Sequence, residues 1–244
     1  MVRHPPDRER AGSSRLMEPF PGIQVVTFDA GSTLIEPWPS VGHIYSQVAA
    51  RHGIVDLSPE FLNRRFAAAW RAFPQPLHRA ADWARLVDEV FAGLTPVAPS
   101  QTFFPELYDR FTRPDAWRIY DDVEPALSSL AARGLRLGVI SNWDERLRPL
   151  LQVLNLARHF ETIIVSCEVG VTKPAPEIFR EAVGRFGVPP GAMLHVGDSL
   201  EADAQGARAA GFRAVRIVRG SPPSDGTLRS LRELPSLVRP QILG

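Results

Sequence analysis

The amino-acid sequence predicts an α/β protein: a three-layer core with helices on both faces of a parallel sheet, and an all-helical cap inserted after the first strand. Three observations carry that expectation. A short run rich in β-branched residues, Ile23 to Phe28, stops at Asp29 and Gly31 in the way a buried strand ends in a loop. From about Ser40 to Thr112 the apolar residues recur at helical spacing with no strand pattern between them. After Pro114 helix and strand patterns alternate, which is the mark of parallel strands joined by crossover helices.

In chain order, Met1 to Pro21 is polar, is broken by Pro5, Pro6, Pro19 and Pro21, and is expected to be a disordered tail. The strand Ile23 to Phe28 follows. The insertion holds four helical segments, VGHIYSQVAARHG, PEFLNRRFAAAWRAF, ADWARLVDEVFAGL and FFPELYDRF. Ser58 before Pro59 supplies the N-cap and first-turn pairing that starts the second. The alternating part predicts helix Val123–Arg133 closed by Gly134, strand Leu135–Ile140, helix Glu145–Leu156 and strand Thr162–Val165. It continues with helix Pro176–Phe186 closed by Gly187, strand Met193–Val196, helix Glu201–Ala210 closed by Gly211, and strand Ala214–Val218. A short amphipathic piece, LRSLRELPSLV, is expected to dock as a terminal helix. The division is therefore a tail at 1–21, a core at 22–38 and 115–220, a cap at 39–114, and a C-terminal segment at 221–244.

Composition narrows the function classes. The 28 basic residues, 27 arginines and Lys173, face 27 acidic ones for a net charge of +1, so there is no basic excess to hold a nucleic acid or an anionic membrane. The lone Cys167 cannot form an internal disulfide, no apolar stretch approaches the ~18 residues that span a bilayer, and the first 20 residues lack the apolar core of a signal peptide. A cytoplasmic protein acting on a small molecule is expected, with neither nucleic acid nor membrane as partner. Oligomeric state leaves no trace in the sequence.

The chemistry gathers at strand ends, where ligands sit in open parallel sheets. The first strand ends in Asp29, with Thr33 four residues on. The strand after Gly134 ends in Ser141 and Asn142, Lys173 follows a loop, and the strand HV runs into GDSLEAD with Asp198 and Asp203. Carboxylates, a hydroxyl, an amide and one ammonium at one sheet edge suit a magnesium ion together with a phosphate, because the hard ion takes oxygens and the lysine offsets the ligand's charge.

The four stations FDAGSTL, VISN, VTKPAP and HVGDSLEAD, in that order, resemble the haloacid dehalogenase-like hydrolase superfamily over roughly Ile23 to Val218, within the subgroup that carries a helical cap. The resemblance implies a Rossmann-like core. It makes Asp29 the nucleophile of an aspartyl-phosphate intermediate. Thr33 would orient the loop by hydrogen bonding, Ser141 and Asn142 would hold phosphoryl oxygens, and Lys173 would neutralise the phosphoryl group and hold the nucleophile. Asp29, the backbone carbonyl of Gly31, Asp198 and, directly or through water, Asp203 would bind Mg2+.

One position departs from the pattern. Phosphatases of this superfamily carry a second aspartate two residues after the nucleophile, which protonates the leaving alcohol and then activates water; here that position is Gly31. General acid–base catalysis is worth ~10²–10⁴ in rate. Three readings follow. The first is a magnesium-dependent phosphatase of a small phosphorylated metabolite that is slow, takes good leaving groups, or borrows a donor such as Glu36 or His43. The second is a 2-haloacid dehalogenase, whose halide needs neither proton nor metal. Asp198 and Asp203 count against this one, since acids beside Asp29 without a cation repel one another. The third is a binding or regulatory protein that has lost turnover. Phosphonate cleavage, which needs a cap lysine, is excluded because the cap has none. Trp70, Phe73 and Trp83 are expected in the cap's own core, and Arg51, Arg64, Arg65 and Arg71 on its solvated faces.

Overall fold

The computed structural model describes residues 18–73, 78–220 and 226–240; most of the tail expected to be disordered lies outside them. Strand β1 (Phe20–Ile23) is followed by β2 (Val25–Phe28) and β3 (Ile35–Pro37). Four helices come next: α1 (Val41–Arg51), α2 (Pro59–Ala72), α3 (Ala80–Phe91) and α4 (Phe104–Arg110). Then come β4 (Trp117–Ile119), α5 (Val123–Ala132), β5 (Arg136–Ser141), α6 (Leu147–Val153), β6 (Thr162–Val165), α7 (Ser166–Val169) and α8 (Pro176–Phe186). The chain closes with β7 (Met193–Gly197), α9 (Gly206–Ala209), β8 (Arg213–Ile217), β9 (Thr227–Leu228), α10 (Leu234–Leu237) and β10 (Val238–Pro240). No helix among the described residues is long and apolar enough to cross a membrane.

Six parallel strands make the central sheet in the order β6-β5-β2-β7-β8-β9. β2 lies in its middle, and all four of its side chains are buried, as a strand covered on both faces requires. The pleat sends Val26 and Phe28 into an apolar cluster with Leu127, Val139 and Leu150, while Val25 joins Ile140, Ile178 and Phe179 on the other face. A third cluster, with Ile44, Val48, Leu62, Val90 and Phe103, holds the cap helices together. In register, Phe28 faces Val139 of β5 and Val196 of β7, so the loops leaving all three strands emerge side by side.

Several short elements differ from the sequence expectation. The run Ile23 to Phe28 breaks at Gln24, and residues 20–23, the first two of them assigned to the tail, form β1 against β10 at the far end of the chain. β3 and β4 form a small antiparallel stem on either side of the cap. The predicted helix Glu201–Ala210 begins instead as a widened π-type turn over Leu200–Gln205, capped by Ser199 Oγ, which accepts from Ala202 N at 3.1 Å.

Candidate active site

Asp29 follows the last residue of β2, and its N–H donates to Val196 O at 2.9 Å, which fixes the loop against β7. Its carboxylate is buried. Oδ1 accepts from Lys173 Nζ at 2.7 Å and from Ser141 Oγ at 2.9 Å; Oδ2 accepts no side-chain hydrogen bond from the described residues. The two oxygens are thereby made unequal: one is held, and the other has no such partner among the described residues.

Lys173 uses all three ammonium protons inside the protein, on Asp29 Oδ1, on Asp203 Oδ1 at 2.6 Å, and on Ile140 O at 2.8 Å. It is 4% exposed. Its neighbours push its pKa up despite the opposing effect of burial, so it stays an ammonium. The side chain of Asn142 is turned to the protein. Its amide is locked to the Lys173 backbone by a reciprocal pair, Nδ2 to Lys173 O at 2.9 Å and Lys173 N to Oδ1 at 2.8 Å. It therefore positions the lysine.

Asp203 is also fully engaged, by Lys173, by His195 Nε2 at 3.1 Å and by Ser199 N at 2.9 Å. Burial raises its pKa, but the lysine and the histidine prevail and hold the carboxyl well below its ordinary value. Gly197 makes room for it, because a Cβ there would fall 2.2 Å from Asp203 Cγ. His195, buried in β7, is the residue that the sequence reading missed. Its Nδ1 lies 2.9 Å from Thr27 Oγ1, and burial pushes its pKa down, so it is neutral and donates Nε2–H to Asp203. The only sequence signal was a polar residue in an otherwise apolar strand.

Asp29, Asp198 and Asp203 each place a carboxylate oxygen within 4.8 Å of the others. Burial first, then repulsion from Asp29 and Asp203, pushes Asp198 up to about 7. Burial likewise raises Asp29 against the pull of Lys173. Three converging carboxylates and one ammonium are short of positive charge, and a hard divalent cation with oxygen ligands fits that donor set.

Thr33 stands apart. Its hydroxyl is fully buried with no partner among the described residues, and the residue does not line the cavity. The loop is tied instead through its carbonyl, which accepts from Arg219 Nη2 at 2.7 Å. Glu36 and His43 are also elsewhere: Glu36 pairs with Arg118 and accepts from Tyr120 at 3.0 Å, and His43 Nδ1 lies 2.8 Å from Ser40 Oγ.

Above these residues lies a cavity of about 860 Å³ between core and cap. Asp29, Gly31, Ser141, Lys173 and Asp198 form its floor, and Trp70, Arg71, Phe73, His78 and Trp83 are among its cap walls. The expectation that these aromatics fill the cap's own core is corrected for Trp70 and Phe73, which line the cavity, whereas Trp83 both packs against the cap cluster and lines the cavity. Arg71 also lines it. Arg51 pairs with Glu106, and Arg65 caps the end of α3 through Glu89 O and Ala92 O, so neither is merely solvated. Trp143 covers Gly31, and a Cβ at position 31 would sit 3.3 Å from its Cζ3.

Fold and site together define a capped α/β hydrolase, with an aspartate at the end of the central strand facing a lysine and two further acids. The chain belongs to the haloacid dehalogenase-like hydrolase family, whose model matches residues 23–211. It is 36% identical over 221 residues to haloacid dehalogenase-like hydrolase domain-containing protein 3 of Mus musculus, covering 85% of this chain and 86% of that protein. A phosphoserine phosphatase of Thermus thermophilus is 42% identical over 108 residues, 44% of this chain and 43% of that one. A solved 2-haloacid dehalogenase from Pseudomonas syringae pv. Tomato matches with TM-score 0.64 and 26% identity, over 88% of this chain and 97% of that chain.

Proposed function

We propose that this hydrolase is a magnesium-dependent phosphoric monoester hydrolase acting on a small molecule through a phosphorylated Asp29. The observation that carries this reading is the sharing of Lys173 between Asp29 and Asp203, with Asp198 alongside. Three carboxylates against one ammonium leave an excess of about two negative charges in a buried site, which is costly without a further cation. A haloacid dehalogenase has no use for that excess, since its own substrate is a carboxylate anion. The phosphatase named among the relatives supports the phosphoryl reading.

Asp29 Oδ2 attacks phosphorus while Lys173 and Ser141 hold Oδ1, and the phosphorus–oxygen bond to the leaving group breaks with its electron pair on that oxygen. Water then attacks phosphorus, the bond to Asp29 breaks, and the carboxylate and inorganic phosphate are restored. Asn142 keeps Lys173 in place, and His195 with Ser199 N keeps Asp203 ionised and oriented toward Lys173. Asp29, Asp198, the Gly31 carbonyl and, directly or through water, Asp203 would hold a magnesium ion, which would supply charge neutralisation to the phosphoryl oxygens. At Gly31 no side chain protonates the leaving group or activates water, so both half-reactions proceed without that catalysis.

Hydrolysis of 4-nitrophenyl phosphate with and without magnesium, by the wild type and Asp29→Asn, tests the reading. Turnover that needs magnesium and disappears in Asp29→Asn is expected. Turnover unchanged by that substitution, or halide release from 2-chloropropionate in chelator, overturns it.

A further inference from the structure

The cavity is far larger than a phosphoryl group needs, and aromatic rings make up much of its wall beside Arg71, His78 and Arg146. A ladder of rings climbs from the nucleophile into the cap. Trp143, over Gly31, lies 5.4 Å from Trp117; Trp117 lies 5.9 Å from Phe111, Phe111 6.2 Å from Tyr45, and Tyr45 6.0 Å from Phe66. Phe66 stacks on Trp70 at 5.8 Å. Trp70, which also has Trp83 5.7 Å away, lines the cavity and is still 41% exposed, so part of its aromatic surface is open to a ligand. Pockets of about 300–1,000 Å³ commonly bury most of a drug-sized ligand. A three-carbon phosphate ester would leave most of this one wet.

The missing acid at Gly31 points the same way by a separate route. A phenol ionises near pH ~10, whereas an aliphatic alcohol resembles water at ~15.7. An aryloxide leaves phosphorus without prior protonation far more readily than an alkoxide does. Trp143 fills the neighbourhood where a side chain at position 31 would begin, so one residue both closes the acid's place and begins the ring ladder.

We infer that the substrate class is phosphoric monoesters whose leaving group is a flat apolar aromatic moiety, seated between the Trp143 end of the site and Trp70. This rests on the phosphatase reading and names the ester it prefers. In the reaction an aryl phosphate and water give a phenol and inorganic phosphate: Asp29 Oδ2 takes the phosphoryl group, the aryloxide leaves with the bonding electron pair and takes its proton from water, and hydrolysis restores Asp29.

Three substrates separate the two contributions. Benzyl phosphate and glycerol 3-phosphate both release aliphatic alcohols, so their ratio of kcat/KM reports ring binding. Phenyl phosphate against benzyl phosphate reports leaving-group acidity. The expected preference for benzyl over glycerol 3-phosphate is at least about thirtyfold, from the apolar area of one ring, and phenyl phosphate exceeds benzyl phosphate. Trp70→Ala lowers the benzyl-to-glycerol ratio about tenfold and Trp70→Phe keeps most of it, which distinguishes loss of a ring from loss of fold. A ratio near one, or a ratio untouched by Trp70→Ala, overturns the proposal. Calorimetric binding of benzyl phosphate to Asp29→Asn in magnesium needs no turnover. If the wild type hydrolyses none of the three, the phosphatase reading fails; if Asp29→Asn binds benzyl phosphate no tighter than glycerol 3-phosphate, the aromatic class fails.

Discussion

Restoring the acid at position 31 tests how this site differs from a site with two aspartates. Gly31 does not occupy the left-handed backbone region, so Gly31→Asp is conformationally allowed. The new Cβ would lie 3.3 Å from Trp143 Cζ3, closer than an ordinary contact, and the ring must yield by a few tenths of an ångström. A working general acid lowers the barrier by roughly 3–5 kcal/mol, and holding the Trp143 ring aside in the productive geometry takes back about 1–3 kcal/mol of that, the scale of overpacking strain. The net gain is on the order of 2 kcal/mol, about thirtyfold in rate. It is confined to esters whose leaving group needs a proton. The assay is kcat/KM for benzyl phosphate and for 4-nitrophenyl phosphate, because this ratio covers steps only through the first irreversible one. The account predicts a rise of about thirtyfold for benzyl phosphate and little change for 4-nitrophenyl phosphate. Adding Trp143→Leu, which frees the space, raises the first further. Equal gains for both esters refute the argument that Gly31 removes leaving-group protonation.

Other consequences concern kinetics and stability. Without a base at position 31 to activate water, hydrolysis of phosphorylated Asp29 lags its formation from a good ester; stopped-flow with 4-nitrophenyl phosphate shows a burst of about one nitrophenolate per chain, and a strictly linear trace contradicts this. Asp122 accepts from Arg219 at 2.9 and 3.0 Å, from Ser230 Oγ at 2.7 Å and from Leu231 N at 2.8 Å, tying the C-terminal segment to the core. Asp122→Asn costs about 1.5–3 kcal/mol in urea unfolding at pH 7. Despite burial, these partners hold the Asp122 carboxyl below its ordinary 3.8, so its contribution is present above that pH and fades as pH falls through the folded value. The gap between wild type and variant therefore closes in acid, and a gap independent of pH rules out the charge as its source. Thr33→Val removes a buried hydroxyl that has no partner among the described residues and leaves stability unchanged or raised; a loss above about 2 kcal/mol shows that the hydroxyl is bonded.

The long elements of this fold were legible because their signals are local and repeated. Thr162–Val165 and Pro176–Phe186 have the bounds that the β-branched run and the Pro–Gly punctuation indicate. The elements that escaped are short or depend on distant partners. Phe20–Ile23 contains Pro21 and Gly22, and it is a strand only because Val238–Pro240 returns beside it. The three-residue strands of the stem are too short to show a period. Within the site, Asp29, Ser141 and Asp198 were readable from their places at strand ends, and Lys173 and Asp203 from the resemblance of the segments that carry them. Roles that rest on contacts were not: Asn142 grips a backbone, Thr33 contributes a carbonyl, and His195 acts on Asp203 from eight residues away in the chain. The aromatic cap residues were readable as apolar. That they also face a cavity depends on how the cap sits over the sheet, which helical periodicity does not encode.

The most direct measurement is rapid acid quench of the magnesium-loaded protein during the first turnover of 4-nitrophenyl phosphate, followed by peptide mass mapping. One phosphoryl group per chain is predicted on the peptide that contains Asp29, absent from Asp29→Asn and absent in chelator. Turnover that leaves Asp29 unmodified, with the label on another residue or on none, contradicts the account.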